Sequence, residues 1–312
     1  MEIQAVTGAF GFSGKYIAQR LLNKNITVKT LTNSINRKND FNDKIIVLPF
    51  NFDNPDKLAA ALDGVTVLYN TYWVRFNHKT FHHSEAVDNT LLLFEAAKKA
   101  GVRRIVHTSI TNPDKNSSLE YFAGKGILEE ALINSGISYA ILRPAVLFGH
   151  EDILINNIAW MMRKFPVFGL FGDGQYRLQP VYVEDFADLA IAQGENNENV
   201  IIDAIGPETF TYKELAKTVS EIILGKERMM FQMPDEAGYW ISKIVGAIKG
   251  DVLITREEIK GLKTGLLCTN SPASGKTKLT DWLKANNGTV GKEYANELKR
   301  RKDRSAAYKV EN

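Results

Sequence analysis

Three glycines near the start of the chain constrain its fold more than any other feature. Gly8, Gly11 and Gly14 stand between an apolar run at residues 3–6 and an amphipathic run at residues 16–22. In a strand, phosphate loop and helix, such glycines give a sharp turn, close backbone approach to a pyrophosphate, and tight packing of the helix on the strand. The free N–H groups at the start of the helix can then bind phosphate. The spacing predicts a dinucleotide-binding loop made of Thr7, Gly8, Phe10, Gly11, Phe12, Ser13 and Gly14.

Apolar and amphipathic segments alternate through the first half of the chain. Strand-like runs lie at 3–7, 28–32, 45–48, 65–70, 104–109 and 139–142, and helix-period segments lie at 13–23, 55–62, 80–100 and 119–135. Regular alternation of strand and helix is typical of a parallel sheet that helices cover on both faces, with right-handed crossovers. From about residue 151 the pattern loosens, with one more strand-like run at 200–204 among helical segments.

These patterns predict an α/β protein with two parts. We expect residues 1–150 to form a doubly wound parallel sheet of the Rossmann type, with further sheet segments returning from about residues 180–205. Residues 151–312 are expected to form a smaller, mostly helical substrate-binding lobe that ends in a basic helix.

The composition is that of an ordinary globular protein. Of 312 residues, 44% are hydrophobic and 24% are charged, and no uncharged apolar run approaches the ~20 residues of a membrane helix. The first residues enter a strand directly, so we expect no signal peptide and no stable membrane insertion. The single cysteine, Cys268, excludes an internal disulfide and indicates a cytoplasmic protein.

The net charge of +3 is concentrated at the end of the chain. Residues 291–312 contain seven Lys or Arg and four acidic residues, and the rest of the chain has 32 of each. Such a tail can contact anionic lipid or nucleic acid, but cations near a helix C-terminus are favoured in any case. We therefore expect a solvated helix end and no nucleic-acid partner.

A second motif places a tyrosine and a lysine four residues apart in a helix-period segment. Tyr121 and Lys125 then share one helix face, and a nearby ammonium favours the phenolate, which makes the tyrosine a candidate proton carrier. Ser109 stands upstream in His107-Thr108-Ser109, at the end of the fifth predicted strand. Strand ends of such sheets face the ligand crevice, so its hydroxyl is a candidate to bind the reacting oxygen.

With the glycine loop, these residues resemble the short-chain dehydrogenase/reductase superfamily in its extended and atypical branch. Ser109, Tyr121 and Lys125 match the catalytic Ser, Tyr and Lys of that family. The resemblance implies that Tyr121 exchanges a proton with the substrate. It also implies that Lys125 adjusts the pKa of the tyrosine hydroxyl and holds the nicotinamide ribose. Within the branch, the chain is similar to the accessory subunit of respiratory complex I and to bacterial epimerase-like reductases. Some members have lost the triad, which this chain retains.

Other segments match the family's cofactor-binding positions. Asn51 and Phe52 match the segment beside the adenine, with Asn in place of the family's Asp. The resemblance also implies contacts from the ends of the fourth, fifth and sixth strands and from the nicotinamide segment Arg143 to Gly149. These residues are Asn70, Thr71, Tyr72, Thr108, Pro144, Ala145 and Val146.

The second predicted strand indicates which nucleotide is bound. An NAD site places a carboxylate after this strand to hold the ribose 2′-hydroxyl, but the first carboxylate here is Asp40. Hydroxyl, amide and basic side chains that suit a 2′-phosphate stand there instead, namely Thr32, Asn33, Ser34, Arg37 and Lys38. We therefore predict NADP rather than NAD.

Two other motifs carry no predicted function. His78, His82 and His83 have helical spacing but no cysteine nearby, so we expect no metal site. Ser274 to Thr277 ends like a phosphate-binding loop but lacks its first glycine and a preceding strand.

The sequence as a whole predicts an NAD(P)-dependent oxidoreductase that exchanges hydride with a carbonyl or alcohol. A sugar-nucleotide epimerase or dehydratase remains open, although arginines that could bind a diphosphate are few between residues 151 and 270. A non-catalytic NADP(H)-binding scaffold or redox sensor is the third possibility. We expect a small-molecule substrate and a monomer or homodimer.

Overall fold

The computed structural model describes residues 2–308, and the chain divides into two compact units. Within that range the first unit comprises residues 2–144, 186–204 and 304–307. The second comprises residues 145–185, 205–303 and 308. Neither unit is a continuous piece of the chain.

Strands and helices are numbered in chain order. The strands are β1 Ile3–Thr7, β2 Thr27–Leu31, β3 Ile45–Leu48, β4 Val65–Asn70, β5 Arg104–Thr108, β6 Ser138–Pro144, β7 Val146–Phe148, β8 Val167–Phe171, β9 Arg177–Leu178, β10 Pro180–Tyr182, β11 Val200–Ala204, β12 Phe210–Thr211 and β13 Met229–Met233. The helices are α1 Phe12–Asn23, α2 Pro55–Ala61, α3 His83–Lys99, α4 Glu120–Asn134, α5 Leu154–Lys164, α6 Val183–Glu195, α7 Tyr212–Leu224, α8 Asp235–Lys249, α9 Arg256–Lys263, α10 Leu279–Ala285 and α11 Glu297–Lys302.

The first unit is built on a seven-stranded parallel sheet in the order β3-β2-β1-β4-β5-β6-β11. The chain runs outward from β1 to β3 and then returns to place β4 beside β1. Ligands of such sheets bind where the order reverses, outside the carboxyl ends of the strands. The predicted doubly wound fold is confirmed, and it places the ends of β1 and β4 at the reversal point.

The core of the first unit explains its nearly continuous apolar strands. Side chains at the sheet centre are fully buried because helices cover both faces. They include Ala5, Val6, Leu68, Ile105 and Ile141. Among the described residues, no helix is both long and apolar enough to cross a membrane.

The second unit has a core formed by helices and short strands. Its two-stranded sheets pair β10 with β7, β12 with β9, and β13 with β8. Sequence periodicity predicted only one strand after residue 151, because strands of two to five residues give too short a pattern. Buried Phe148, Ile155, Leu215 and Leu283 join helices α5, α7 and α10 in one core.

The basic end of the chain is packed rather than fully solvated, contrary to our expectation. Arg300 is buried and donates to the Glu151 carbonyl oxygen (2.7 Å). Residues 304–307 belong to the first unit, where the Lys38 N–H donates to the Ser305 carbonyl oxygen (2.8 Å). At least one basic side chain of this segment, Arg300, is therefore packed within the fold and does not face solvent.

Candidate active site

The glycine loop has the geometry that its spacing predicts. Gly8 adopts a left-handed φ of +67°, and its N–H donates to the Leu31 carbonyl oxygen (3.0 Å). A Cβ on Gly14 would stand against the Gly8 carbonyl group, 2.8 Å from its carbon. The N-cap of α1, Gly11, has no side-chain cap, and the first turn carries no carboxylate. The loop therefore leaves a positive helix end beside a backbone cradle that fits phosphate.

Two side chains beside this loop serve its internal structure. Thr7 and Asn70 are fully buried, and Thr7 Oγ1 donates to Asn70 Oδ1 (3.0 Å) while it accepts from the Thr71 N–H (2.8 Å). Phe10 is also buried and packs on Phe41, with ring centroids 6.1 Å apart. The Thr7 and Asn70 side chains therefore help to hold the loop in position. Phe12, Ser13 and Thr71 remain half-buried.

Helix α4 carries the tyrosine and lysine on one face, together with a glutamate that sequence analysis missed. Tyr121, Lys125 and Glu129 recur every four residues, a spacing that could have revealed the glutamate. Lys125 is 1% exposed, and its Nζ donates to the Thr108 carbonyl oxygen (2.7 Å) at the end of β5. The strand end thus fixes the ammonium group on the face that bears the phenol.

An aromatic cluster surrounds the phenol ring. Trp73 meets Tyr121 edge to face at 5.5 Å between centroids, and Lys125 Nζ lies 4.2 Å from the centroid of the same indole. His83 stacks on Trp73 at 5.8 Å. A Cβ on Gly124 would come within 2.9 Å of the indole, so this glycine leaves room for Trp73 against α4.

The cluster contains buried polar atoms that make no hydrogen bond among the described residues. His83 is 3% exposed, and neither of its ring nitrogens has a hydrogen bond, although Nδ1 lies 3.7 Å from Glu120 Oε2. The indole nitrogen of Trp73 is also buried without a hydrogen bond. Such groups are costly unless a partner is supplied, which favours a polar ligand at this position.

The structure places the predicted catalytic residue Ser109 in a buried hydrogen-bond network. Ser109 is 2% exposed, and its hydroxyl donates to Glu129 Oε1 (2.5 Å). Arg143 binds both oxygens of the same carboxylate, through Nε (3.0 Å) and Nη2 (2.5 Å). The hydroxyl is therefore held in a buried network that joins β5, α4 and β6, and Tyr121 and Lys125 are the members of the predicted triad that share a face.

Burial also changes the charge expected for the lysine. Desolvation lowers the pKa of Lys125 from 10.5 to about 7, although the Glu129 carboxylate opposes the shift. Burial and the nearby Lys125 also hold the pKa of His107 well below its usual range. At neutral pH the lysine is therefore close to the midpoint of its titration, where small changes in its surroundings alter its charge.

This pKa predicts how stability depends on pH. Between about pH 7 and pH 10 the unfolded chain binds a proton that folded Lys125 does not, so its contribution to the free energy of unfolding rises with pH. Relative to wild type, Lys125→Met should therefore be most stable below pH 7 and should lose at least about 1 kcal/mol of that relative stability by pH 9. Chemical denaturation of both proteins across this range measures the difference. Lys57→Met, at an exposed helix position, should show no such change, and an equal slope for wild type and Lys125→Met would contradict the prediction.

The loop after β2 combines hydroxyl and guanidinium groups. Thr32 is buried, and its Oγ1 accepts from the Ser34 N–H (3.0 Å). Arg37 is 7% exposed, with Nη2 3.4 Å from Ser34 Oγ. The exposed residue Asn33 has its carbonyl oxygen 3.5 Å from Arg304 Nη1. The structure therefore brings two guanidinium groups to the loop where a 2′-phosphate was predicted.

The remaining predicted residues lie near other strand ends. Asn51 has a left-handed φ of +49°, and the half-buried Phe52 packs on Tyr72 at 5.4 Å between centroids. Pro144 ends β6, and the buried Ala145 and half-buried Val146 follow it in the second unit. Among the histidines, His78 pairs with Thr80 Oγ1 (3.1 Å) and His82 is the N-cap of α3.

Comparison with known proteins agrees with this architecture. Residues 8–156 match a family model described as NAD(P)H-binding. A mitochondrial NADH dehydrogenase [ubiquinone] 1 alpha subcomplex subunit 9 from Arabidopsis thaliana is 26% identical over 232 residues, which is 71% of this chain and 58% of that protein. The chain thus spans about 58–60% of the length of the first curated relatives it matches.

Solved structures show the same fold at low sequence identity. The Citrobacter sp. triphenylmethane reductase, complexed with NADP(H), superposes with a TM-score of 0.75 at 20% identity, over 91% of this chain and 99% of that one. A nucleoside-diphosphate-sugar epimerase from Staphylococcus aureus gives a TM-score of 0.73 at 20% identity, over 91% and 100%. These likenesses show that the chain has the fold of both proteins, and the NAD(P)H-binding model matches the part of the chain that contributes β2 to β6 of the parallel sheet.

Proposed function

We propose that this protein is an NADP-dependent oxidoreductase that exchanges hydride with a carbonyl or alcohol substrate. The observation that carries the proposal is the shared face of Tyr121 and Lys125, where the lysine is anchored to the end of β5 and has a pKa of about 7. A phenol beside a lysine that titrates near neutrality is suited to general acid–base chemistry. The buried nitrogens of Trp73 and His83 lie beside the phenol and make no hydrogen bond among the described residues, which supports a polar substrate.

The chemistry divides between the cofactor and the protein. When bound, the nicotinamide supplies or accepts the hydride. Tyr121 Oη gives a proton to the substrate oxygen in reduction and removes it in oxidation. Lys125 stabilises the phenolate when it is charged and would hold the nicotinamide ribose through its ammonium. Ser109, with Glu129 and Arg143, positions the end of β5 and α4.

The preference for NADP rests on the loop after β2. Arg37 and Ser34 would hold the 2′-phosphate, and Arg304 adds a second guanidinium to the same loop. The glycine loop and the N-terminus of α1 would hold the pyrophosphate. Phe52 and Tyr72 offer an aromatic surface beside Asn51, where the resemblance places the adenine.

Two alternatives differ in what they require. An epimerase needs cationic groups for a diphosphate, and the chain has four arginines between residues 151 and 270. Arg163 and Arg228 donate to backbone carbonyls and Arg256 pairs with Glu236, which leaves the exposed Arg177 of β9 as the remaining arginine. The retained Tyr121 and Lys125 argue against a scaffold, although relatives include subunits of NADH dehydrogenase. The oligomeric state, a monomer or homodimer, and the cytoplasmic location remain predictions. The single cysteine, Cys268, supports the predicted location.

A substrate panel tests the proposed activity. The purified protein should oxidise NADPH in the presence of at least one member of a panel of aldehydes, ketones, quinones and triphenylmethane dyes. A nucleotide-sugar, assayed for epimer formation with bound nucleotide, tests the alternative chemistry. Tight NADPH binding without turnover of any compound would favour the scaffold.

Cofactor selectivity is a separate prediction. Titration should give at least about tenfold tighter binding of NADPH than of NADH, because charge-assisted hydrogen bonds to the 2′-phosphate have no counterpart in NADH. Arg37→Ala with Lys38→Ala should reduce this ratio, mainly by weakening NADPH binding. Lys44→Ala, an exposed lysine just before β3, serves as the control. Equal affinities in the wild-type protein would refute the assignment of the loop.

A further inference from the structure

The ammonium group of Lys125 has few polar partners for a buried cation. Among the described residues its Nζ makes one hydrogen bond, to the Thr108 carbonyl oxygen, and no ion pair. Glu129 stands one turn further along α4, but its carboxylate accepts from Ser109 (2.5 Å) and from Arg143 (2.5 Å). The guanidinium group therefore balances much of that negative charge. Since a buried charge is costly unless it is compensated, another group must help to stabilise the ammonium.

The indole ring of Trp73 can supply this stabilisation. Lys125 Nζ lies 4.2 Å from the ring centroid, and a cation within about 6 Å of an aromatic face is attracted to it. Tryptophan gives the strongest contact of this kind, and the attraction grows where water is excluded. Lys125 is almost fully buried. The indole therefore favours the charged form of the lysine and opposes the effect of burial on its pKa.

The same indole ring contacts the phenol of the proposed proton carrier. Trp73 lies in the segment after β4 and meets Tyr121 edge to face at 5.5 Å between centroids. Gly124 leaves the space that the ring occupies, because a Cβ there would lie 2.9 Å from Trp73 Cη2. One side chain outside α4 thus touches both functional groups that α4 carries on its shared face.

We propose that Trp73 is a positioning residue for proton transfer, whose indole ring holds the Lys125 ammonium charged on the face of α4 that carries Tyr121. The inference deepens the proposed function, and its catalytic part rests on that function. A charged lysine favours the phenolate, which the oxidation of an alcohol requires. Without the indole the lysine would lose its proton at a lower pH, and the oxidation would need a higher pH.

Two histidines near Lys125 and Trp73 also titrate and must be separated from this effect. His107 of β5 lies close to Lys125, and burial holds its pKa well below its usual range. His83 of α3 stacks on Trp73 at 5.8 Å, with Nδ1 3.7 Å from Glu120 Oε2. A double-mutant cycle isolates the contact between Lys125 and Trp73, because effects that each residue has on third groups cancel in it.

Such a cycle tests the contact without an assay of turnover. Wild type, Trp73→Leu, Lys125→Met and the double variant are unfolded chemically at pH 6 and at pH 9, on either side of the Lys125 pKa of about 7. The coupling should correspond to at least about a fivefold change in the unfolding constant at pH 6 and to less than about twofold at pH 9. Equal coupling at both pH values would show that the two side chains only pack together and would overturn the proposal.

A matched cycle in the second unit serves as the control. Lys249 Nζ lies 4.8 Å from the centroid of the Trp160 ring, but this lysine is exposed. Trp160→Leu with Lys249→Met should therefore give the same coupling at both pH values. If Trp73→Leu does not fold, Trp73→Phe replaces it in the cycle, with a smaller coupling at pH 6 because phenylalanine attracts a cation less strongly than tryptophan.

The pH profile of turnover tests the catalytic part. Trp73→Leu should move the alkaline rise of kcat for alcohol oxidation to higher pH by about one unit, and Trp73→Phe should restore part of this shift. Trp160→Leu should leave the profile in place. Turnover with a coupling that does not depend on pH would overturn this inference alone. A coupling that depends on pH, without turnover of any substrate, would overturn the proposed function and with it the role of Trp73 in proton transfer.

Discussion

Tyr121→Phe is expected to lower turnover of the substrate identified in the panel by at least about a hundredfold, because a general acid contributes roughly 10²–10⁴-fold to rate. The phenylalanine keeps the ring that packs against Trp73 and His83, so the free energy of unfolding should change by no more than about 1 kcal/mol. NADPH affinity should stay close to that of wild type. Steady-state kinetics and an NADPH titration on the same preparations measure both quantities.

Tyr139→Phe is the matched control for this variant. Tyr139 is also half-buried and lies in β6 of the same unit, away from the face shared by Tyr121 and Lys125. Its replacement should leave kcat unchanged. Full turnover by Tyr121→Phe would show that the phenol carries no proton and would remove the basis of the proposed mechanism.

Gly14→Ala should disrupt the dinucleotide site through one added methyl group. The new Cβ would lie 2.8 Å from the carbonyl carbon of Gly8 and 3.2 Å from the Ala9 nitrogen, and backbone atoms cannot rotate away as a side chain can. Overpacking of this kind costs about 1–3 kcal/mol. Because NADPH would bind the undistorted loop, a cost of about 3 kcal/mol to restore that loop conformation corresponds to more than about a hundredfold loss of NADPH affinity. Calorimetric titration and thermal unfolding report the two effects.

Alanine variants at two other glycines test whether the loss of affinity is specific to the loop. In Gly11→Ala the Cβ would stand 3.2 Å from the Gly8 carbonyl oxygen, so a smaller loss of affinity is expected. Gly288 has open space around it and no positive φ, so Gly288→Ala should bind NADPH as wild type does. Equal affinity in all three variants would mean that the loop does not hold the nucleotide.

The sheet and its loop could be predicted because their signals are local and repeated. Strands buried on both faces read as continuous apolar runs, and each glycine of the loop meets a backbone constraint that only a small residue satisfies. The helical spacing of Tyr121 and Lys125 likewise fixes their common face without knowledge of the rest of the fold.

Partners far apart in sequence could not be predicted in this way. Whether Ser109 turns toward the crevice or toward Glu129 depends on the packing of α4 on the sheet, and the same packing buries Lys125. The position of Trp73 depends on the space that Gly124 leaves on α4, a different element of the fold. The exposure of Trp240 and Ile244 on α8 could not be predicted, because periodicity shows that a helix has an apolar side but not which side is buried.

The way the chain passes between its two units limits how the protein can be divided. Because residues 186–204 and 304–307 rejoin the first unit, the described chain changes unit five times, at 144/145, 185/186, 204/205, 303/304 and 307/308. A fragment that ends at residue 150 would lack β11 and would leave β6 as an unpaired edge, open to association with other chains. Neither unit can therefore be excised or exchanged as one continuous piece of the chain.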